Sequence, residues 1–164
     1  MRLLETLPSP DAYKMPKSVE IVMVDSVEAL RHAVLEMEME PVLGWDCEWS
    51  SIDRDTVAHT IQIAAAQKVW IIDGVWLMEN PDDEVQANEL FDYLFKHSEH
   101  CNIFLGAEDT KVLKRYFITR NLDYSFSQMK CWHVFPNMIE LNKFCKQLGM
   151  REMSLANYVA FFLK

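Results

Sequence analysis

Val42-Leu43-Gly44-Trp45-Asp46-Cys47-Glu48-Trp49 is the stretch on which the fold turns: an apolar run that ends in two carboxylates one residue apart. Read as a β-strand, it alternates faces, so Asp46 and Glu48 share one face roughly 7 Å apart along the chain. Two anions at the end of a buried strand repel each other and resist desolvation. A divalent cation relieves both costs, and carboxylate oxygens are the ligands that Mg²⁺ and Mn²⁺ prefer. The same spacing also fits a strand that simply surfaces here, capped by two solvated acids. The flanking sequence has to decide between them.

Upstream, Val19 to Val24 alternates loosely and reads as a strand. Asp25 with Glu28 marks a helix start, and Val27, Leu30, Val34 and Met37 then recur at helical spacing. Downstream, Ser50 to Ala58 is polar and turn-like. Thr60 to Ala66 and Val69 to Asp73 read as a hairpin across Gln67-Lys68. Gly74 to Asp83 reads as a loop that closes on the acidic start of a helix, in which Leu90, Phe91, Leu94 and Phe95 share a face. Ile103 to Leu105 is a short strand ending at Gly106, followed directly by a helix over 108–117. Further helices are expected over 137–148 and 154–163. Strand, helix, strand, hairpin, helix, strand and helices in that order predict an α/β domain with a mixed sheet covered by helices. Residues 1–18, with three prolines, read as an extended lead-in, and residues 19–164 are expected to form one domain.

The 164 residues suffice for a single core, with half of them hydrophobic and a quarter charged. Cys47, Cys101, Cys131 and Cys145 lie far apart with no zinc spacing, so free thiols in a reducing compartment are expected. No signal-like or membrane-length apolar run is present, which predicts a soluble, intracellular protein with no membrane partner. The net charge of −9 is unevenly placed. Residues 1–100 carry 7 Lys/Arg against 20 Asp/Glu, whereas residues 101–164 carry 9 against 5, a surplus of 4 basic residues. Lys111, Lys114, Arg115 and Arg120 cluster there, either as solvated helix faces or as a flank for a phosphate backbone.

The motifs combine into a resemblance. Val42 to Trp49, Ile61-Gln62-Ile63-Ala64, Trp70-Ile71-Ile72-Asp73, and Leu105-Gly106-Ala107-Glu108-Asp109 with Leu113 together resemble the 3′-5′ exonuclease domain of the DEDD superfamily. The RNase D, Werner-type and Nibbler-like branch is the nearest in flavour, and the resemblance spans residues 19–164. It implies a ribonuclease H-like mixed sheet flanked by helices, and hydrolysis of phosphodiester bonds by two divalent cations, Mg²⁺ or Mn²⁺, about 3.5–4 Å apart. By resemblance Asp46 bridges both ions, Glu48 binds one near the terminal 3′-hydroxyl, and Asp109 holds the other directly or through water. Asp109 also fits a first-turn acid stabilised by the helix dipole. Trp49 fits either stacking on a terminal base or packing in the core or at the lip of the site. Gln62 reads as structural, Asp73 as a turn former, and His59, His97, His100 and His133 receive no role.

Two departures from the family pattern stand out. Only two residues separate Gly106 from Asp109, where many relatives have three, which makes Glu108 an outside candidate for the same metal. The family's third motif, a Tyr or His followed four or five residues later by Asp, has no counterpart: Tyr158 has no aspartate after it before Lys164. The expectation is a domain incomplete at its C-terminus. The leading reading is a metal-dependent 3′-5′ exonuclease domain acting on single-stranded RNA or DNA 3′ ends, with Asp46, Glu48 and Asp109 converging at the strand ends. The alternative is a catalytically silent exonuclease-like module that binds nucleic acid or a protein. A weaker third reading is a non-nuclease α/β domain with coincidental acids.

Overall fold

The computed structural model describes residues 18–52, 55–97, 100–105, 109, 112 and 138–150. The elements run β1 (Glu20–Val24), α1 (Val27–Met37), β2 (Val42–Ile52), β3 (Asp55–Ala64), β4 (Lys68–Asp73), α2 (Gly74–Glu79), α3 (Pro81–His97), β5 (Cys101–Phe104), β6 (Met138–Glu140) and α4 (Leu141–Gln147). Among the described residues the strands form one six-stranded sheet in the order β1-β4-β3-β2-β5-β6. The hairpin strands β2, β3 and β4 pair antiparallel, while β1 joins β4, β5 joins β2 and β6 joins β5 in parallel. The expected mixed α/β sheet is therefore present.

One face of the sheet makes the core. Leu43, Trp45 and Cys47 of β2 alternate with Gly44, Asp46 and Glu48, and the first set is buried. Trp45 stacks on Phe104 at 5.8 Å between ring centroids and meets Phe91 of α3 edge-on at 6.4 Å. Its indole Nε1 donates to Asn102 Oδ1 at 2.7 Å. An aromatic pair of this kind is worth roughly 0.5–1.5 kcal/mol beyond the area it buries. The acid-bearing strand is thus anchored from its core side.

Several local expectations need correction. Helix α1 starts as expected, but its cap is Ser26, which accepts from the Ala29 amide at 3.3 Å, one residue past the anticipated Asp25. Most of Ser50 to Ala58 is strand where a turn was expected: β2 continues to Ile52 and β3 begins at Asp55. Among the described residues no third strand flanks this ribbon, and its sequence lacks the apolar alternation that marks a half-buried strand. Gly74 to Asp83 is not a loop either. Asp73 Oδ1 accepts from the amides of Val75 (2.8 Å) and Trp76 (3.2 Å), which starts α2, and Pro81 occupies the first position of α3. The helix expected over 137–148 begins only at Leu141, because Met138–Glu140 pairs with β5 and the Glu140 carboxylate caps α4. That helix ends in a Schellman turn: Met150 N–H donates to Cys145 O, Gly149 N–H donates to Lys146 O, and Gly149 has φ +76°. The helices expected over 108–117 and 154–163 lie almost wholly outside the described residues, although Asp109 and Val112 are helical. No helix among the described residues is long and apolar enough to cross a membrane.

Candidate active site at the narrowing of the sheet

The acid pair stands where the sheet steps down in width. Strand β5 flanks β2 only from Val42 to Trp45, and β4 flanks β3 only from Ala64 to Thr60. Asp46 is thus the first residue of β2 past the β5 ladder, with Gln62 opposite it on β3. Glu48 lies opposite Thr60, which in turn lies opposite Asp73, the last rung that β4 reaches. Beyond it β2 and β3 pair only with each other among the described residues.

The environments of the two acids differ. Asp46 is half-buried and Glu48 exposed. Burial pushes the Asp46 carboxyl above the usual carboxylate range, and the Glu48 charge adds to the shift. A hydrogen bond from the Cys47 amide partly opposes them. Between the acids, on the core face, the Cys47 thiol is pushed far up, by burial first and then by the charges of Asp109, Asp46 and Glu48 in that order. Asp109, half-buried in a helical segment that follows β5, therefore stands within electrostatic reach of the same strand.

The donor chemistry suits a hard divalent cation. Asp46 and Glu48 offer oxygen ligands on one strand face, and the Thr60 hydroxyl opposite Glu48 is buried without a hydrogen-bond partner among the described residues. Mg²⁺ is commonly held by one or two carboxylates, completing its shell with water and substrate phosphate. Among the described residues, however, no group of three or more His, Cys, Asp or Glu is close enough to hold a metal ion. Two acids share the strand face, and the third acts on it through its charge.

Trp49, next in the chain, is 41% exposed, so it is not a core residue. Gln62 is half-buried opposite Asp46, and Asp73 is the cap of α2. Lys111, Lys114, Arg115 and Glu108 lie outside the described residues. The sequence missed one feature of this region. Glu48 pairs with Thr60 but Trp49 pairs with Ala58, so the register slips and His59 is the extra residue of a bulge. His59 Nε2 lies 2.8 Å from Ser50 Oγ. A bulge leaves no mark in hydrophobic periodicity, and the only visible signal was a histidine two residues before the Ile-Gln pair.

Comparison with known proteins agrees on the fold. The family model described as 3′-5′ exonuclease matches residues 21–160. The catalytic core of RRP6 from Trypanosoma brucei superposes with a TM-score of 0.68 at 20% identity, covering 96% of this chain and 38% of that one. The Nibbler EXO domain of Aedes aegypti gives 0.60 at 16%, covering 87% and 66%. Escherichia coli RNase D, described as an exoribonuclease involved in structured RNA processing, gives 0.60 at 14%, covering 88% and 33%. The chain thus spans between a third and two thirds of these relatives' lengths. No curated protein matches its sequence.

Proposed function

From a chain that belongs to the 3′-5′ exonuclease family, we propose a metal-dependent domain that removes nucleotides from the 3′ ends of RNA or single-stranded DNA. The observation that carries the proposal is the acid pair at the narrowing of the sheet, where burial and Glu48 make the Asp46 charge costly. A cation bound there turns that cost into affinity. Asp46 and Glu48 hold the metal, and Asp109 adds the third negative charge, directly or through water. Bound divalent cations supply an activated water and neutralise charge on the leaving oxygen. Trp49 offers an exposed aromatic face to a terminal base, and Lys111, Lys114 and Arg115 lend the phosphate backbone positive charge. RNA is the first substrate to test, since the E. coli relative is described as an exoribonuclease.

A second reading, a module that binds 3′ ends without cleaving them, is favoured by one observation. No closed set of three metal ligands stands among the described residues. Single-stranded oligonucleotides labelled at the 3′ end separate the two, incubated with Mn²⁺ or Mg²⁺ and with wild type or Asp46→Asn. Release of the 3′ label as a mononucleotide that Asp46→Asn abolishes supports the exonuclease. Binding without release supports the second reading, and cleavage indifferent to Asp46→Asn overturns the assignment of the acids.

A further inference from the structure

The bulge beside the acid pair is built into the fold. A Cβ placed on Gly74 would come within 1.9 Å of the Ala58 carbonyl oxygen and 3.1 Å of the His59 carbonyl carbon. The start of α2 therefore presses its backbone directly against the bulge and fixes its place. Bulges of this kind re-aim a side chain, and the one re-aimed here is His59. Its ring is exposed, and Nε2 is engaged by Ser50 Oγ at 2.8 Å. When the serine hydroxyl donates to Nε2, the imidazole proton resides on Nδ1, which becomes a hydrogen-bond donor on an exposed ring.

Ser50 lies two residues beyond Glu48, roughly 7 Å along the strand, about the reach of one backbone linkage. A polyanion entering beside Asp46 and Glu48 needs a donor there to offset their repulsion. Neither β2 nor β3 carries a Lys or Arg. His59 is the side chain placed to serve.

We propose that His59, oriented by Ser50, is a substrate-binding residue that donates from Nδ1 to a backbone phosphate oxygen next to the bound 3′ end. The proposal rests on the exonuclease reading of the acid pair and adds a phosphate subsite to it. The exposed ring makes His59 variants readable, because the bulge is held by backbone contacts with Gly74.

The test is fluorescence-anisotropy binding of a labelled single-stranded RNA with a free 3′-hydroxyl, in Ca²⁺, with release of a 3′ label in Mn²⁺ measured in parallel. A hydrogen bond to a charged group predicts about a tenfold or greater loss of affinity in His59→Ala, with melting temperature unchanged. His59→Asn, whose amide nitrogen can occupy the Nδ1 position, retains most of the affinity. His59→Gln reaches the Nε2 position instead, keeping Ser50 but losing the phosphate, and binds like His59→Ala. A methylphosphonate at the contacted linkage erases the difference between wild type and His59→Ala. If His59→Ala binds like wild type while Asp46→Asn abolishes release, the subsite is wrong and the exonuclease reading survives. Equal rescue by Gln and Asn also overturns the subsite, pointing to a structural role through Ser50. If wild type neither binds nor degrades the RNA or a single-stranded DNA of the same sequence, both readings fall.

Discussion

Replacing Gly74 by alanine sets two effects of opposite sign against each other. Gly74 is the first residue of α2 and its φ is not positive, so helix propensity and a less flexible unfolded chain both favour alanine, by about 1 kcal/mol at most. The structure predicts the reverse. The new Cβ would stand 1.9 Å from the Ala58 carbonyl oxygen and 2.8 Å from its carbon, where ordinary contact begins at 3.4 Å. The obstacle is strand backbone, which cannot swing aside as a side chain would. Overpacking typically costs about 1–3 kcal/mol and sometimes more, and backbone displaced by over an ångström belongs at or above the upper end. The net loss is then roughly 2 kcal/mol, or about 4–8 °C in melting temperature for a domain of this size. Urea and thermal unfolding followed by tryptophan fluorescence measure it. Gly44→Ala is the control, because its Cβ meets nothing nearer than 3.8 Å. A Gly74→Ala protein that melts at or above wild type would refute the reasoning that the bulge is clamped.

Three further outcomes follow from the site. Mn²⁺ or Mg²⁺ at a hundredfold excess over its dissociation constant should stabilise the fold by about 2.7 kcal/mol, and Asp46→Asn should abolish most of that rise in a thermal melt. With metal absent, the raised Asp46 carboxyl means that the folded state binds the proton more tightly than the unfolded one. Its contribution to stability is therefore fully present below the ordinary aspartate range and is lost as pH rises through the raised folded value, a dependence that a pH series of urea melts should find reduced in Asp46→Asn. Truncating Asn102 to Ala leaves the buried Trp45 indole without its acceptor, and urea unfolding should show a loss of about 1–3 kcal/mol.

The sheet and its acid strand were legible because they are written in period-two burial: Leu43, Trp45 and Cys47 inward, Asp46 and Glu48 outward. The first helix was legible from its start signal and its repeat of Val27, Leu30, Val34 and Met37. Less legible were elements whose cause lies in a neighbour. The ribbon beyond Trp49 is stabilised by strand pairing and carries no apolar pattern. Helix α2 depends on the Asp73 carboxylate being delivered by β4, and β6 on the edge that β5 offers. Within the candidate site, spacing placed Asp46 and Glu48 on one strand face, and the flanking motifs, not the spacing, singled them out. The bulge at His59 could not be read in this way, because it is a register slip between paired strands, packed against the backbone of Gly74.

The stepwise narrowing of the sheet has a consequence for how the molecule opens. Backbone amides protected by ladders on both sides exchange with solvent only when large units unfold together, while those with one partner exchange by smaller openings. Along β2, protection should therefore fall in stages, highest at Gly44 and Trp45 between β3 and β5, lower past Asp46, and lowest beyond the bulge. The acid pair occupies the middle stage. Among the described residues Glu48 sits where the sheet gives way to a two-stranded ribbon, so that ribbon should exchange by smaller openings while the backbone at Asp46 stays tied to the core.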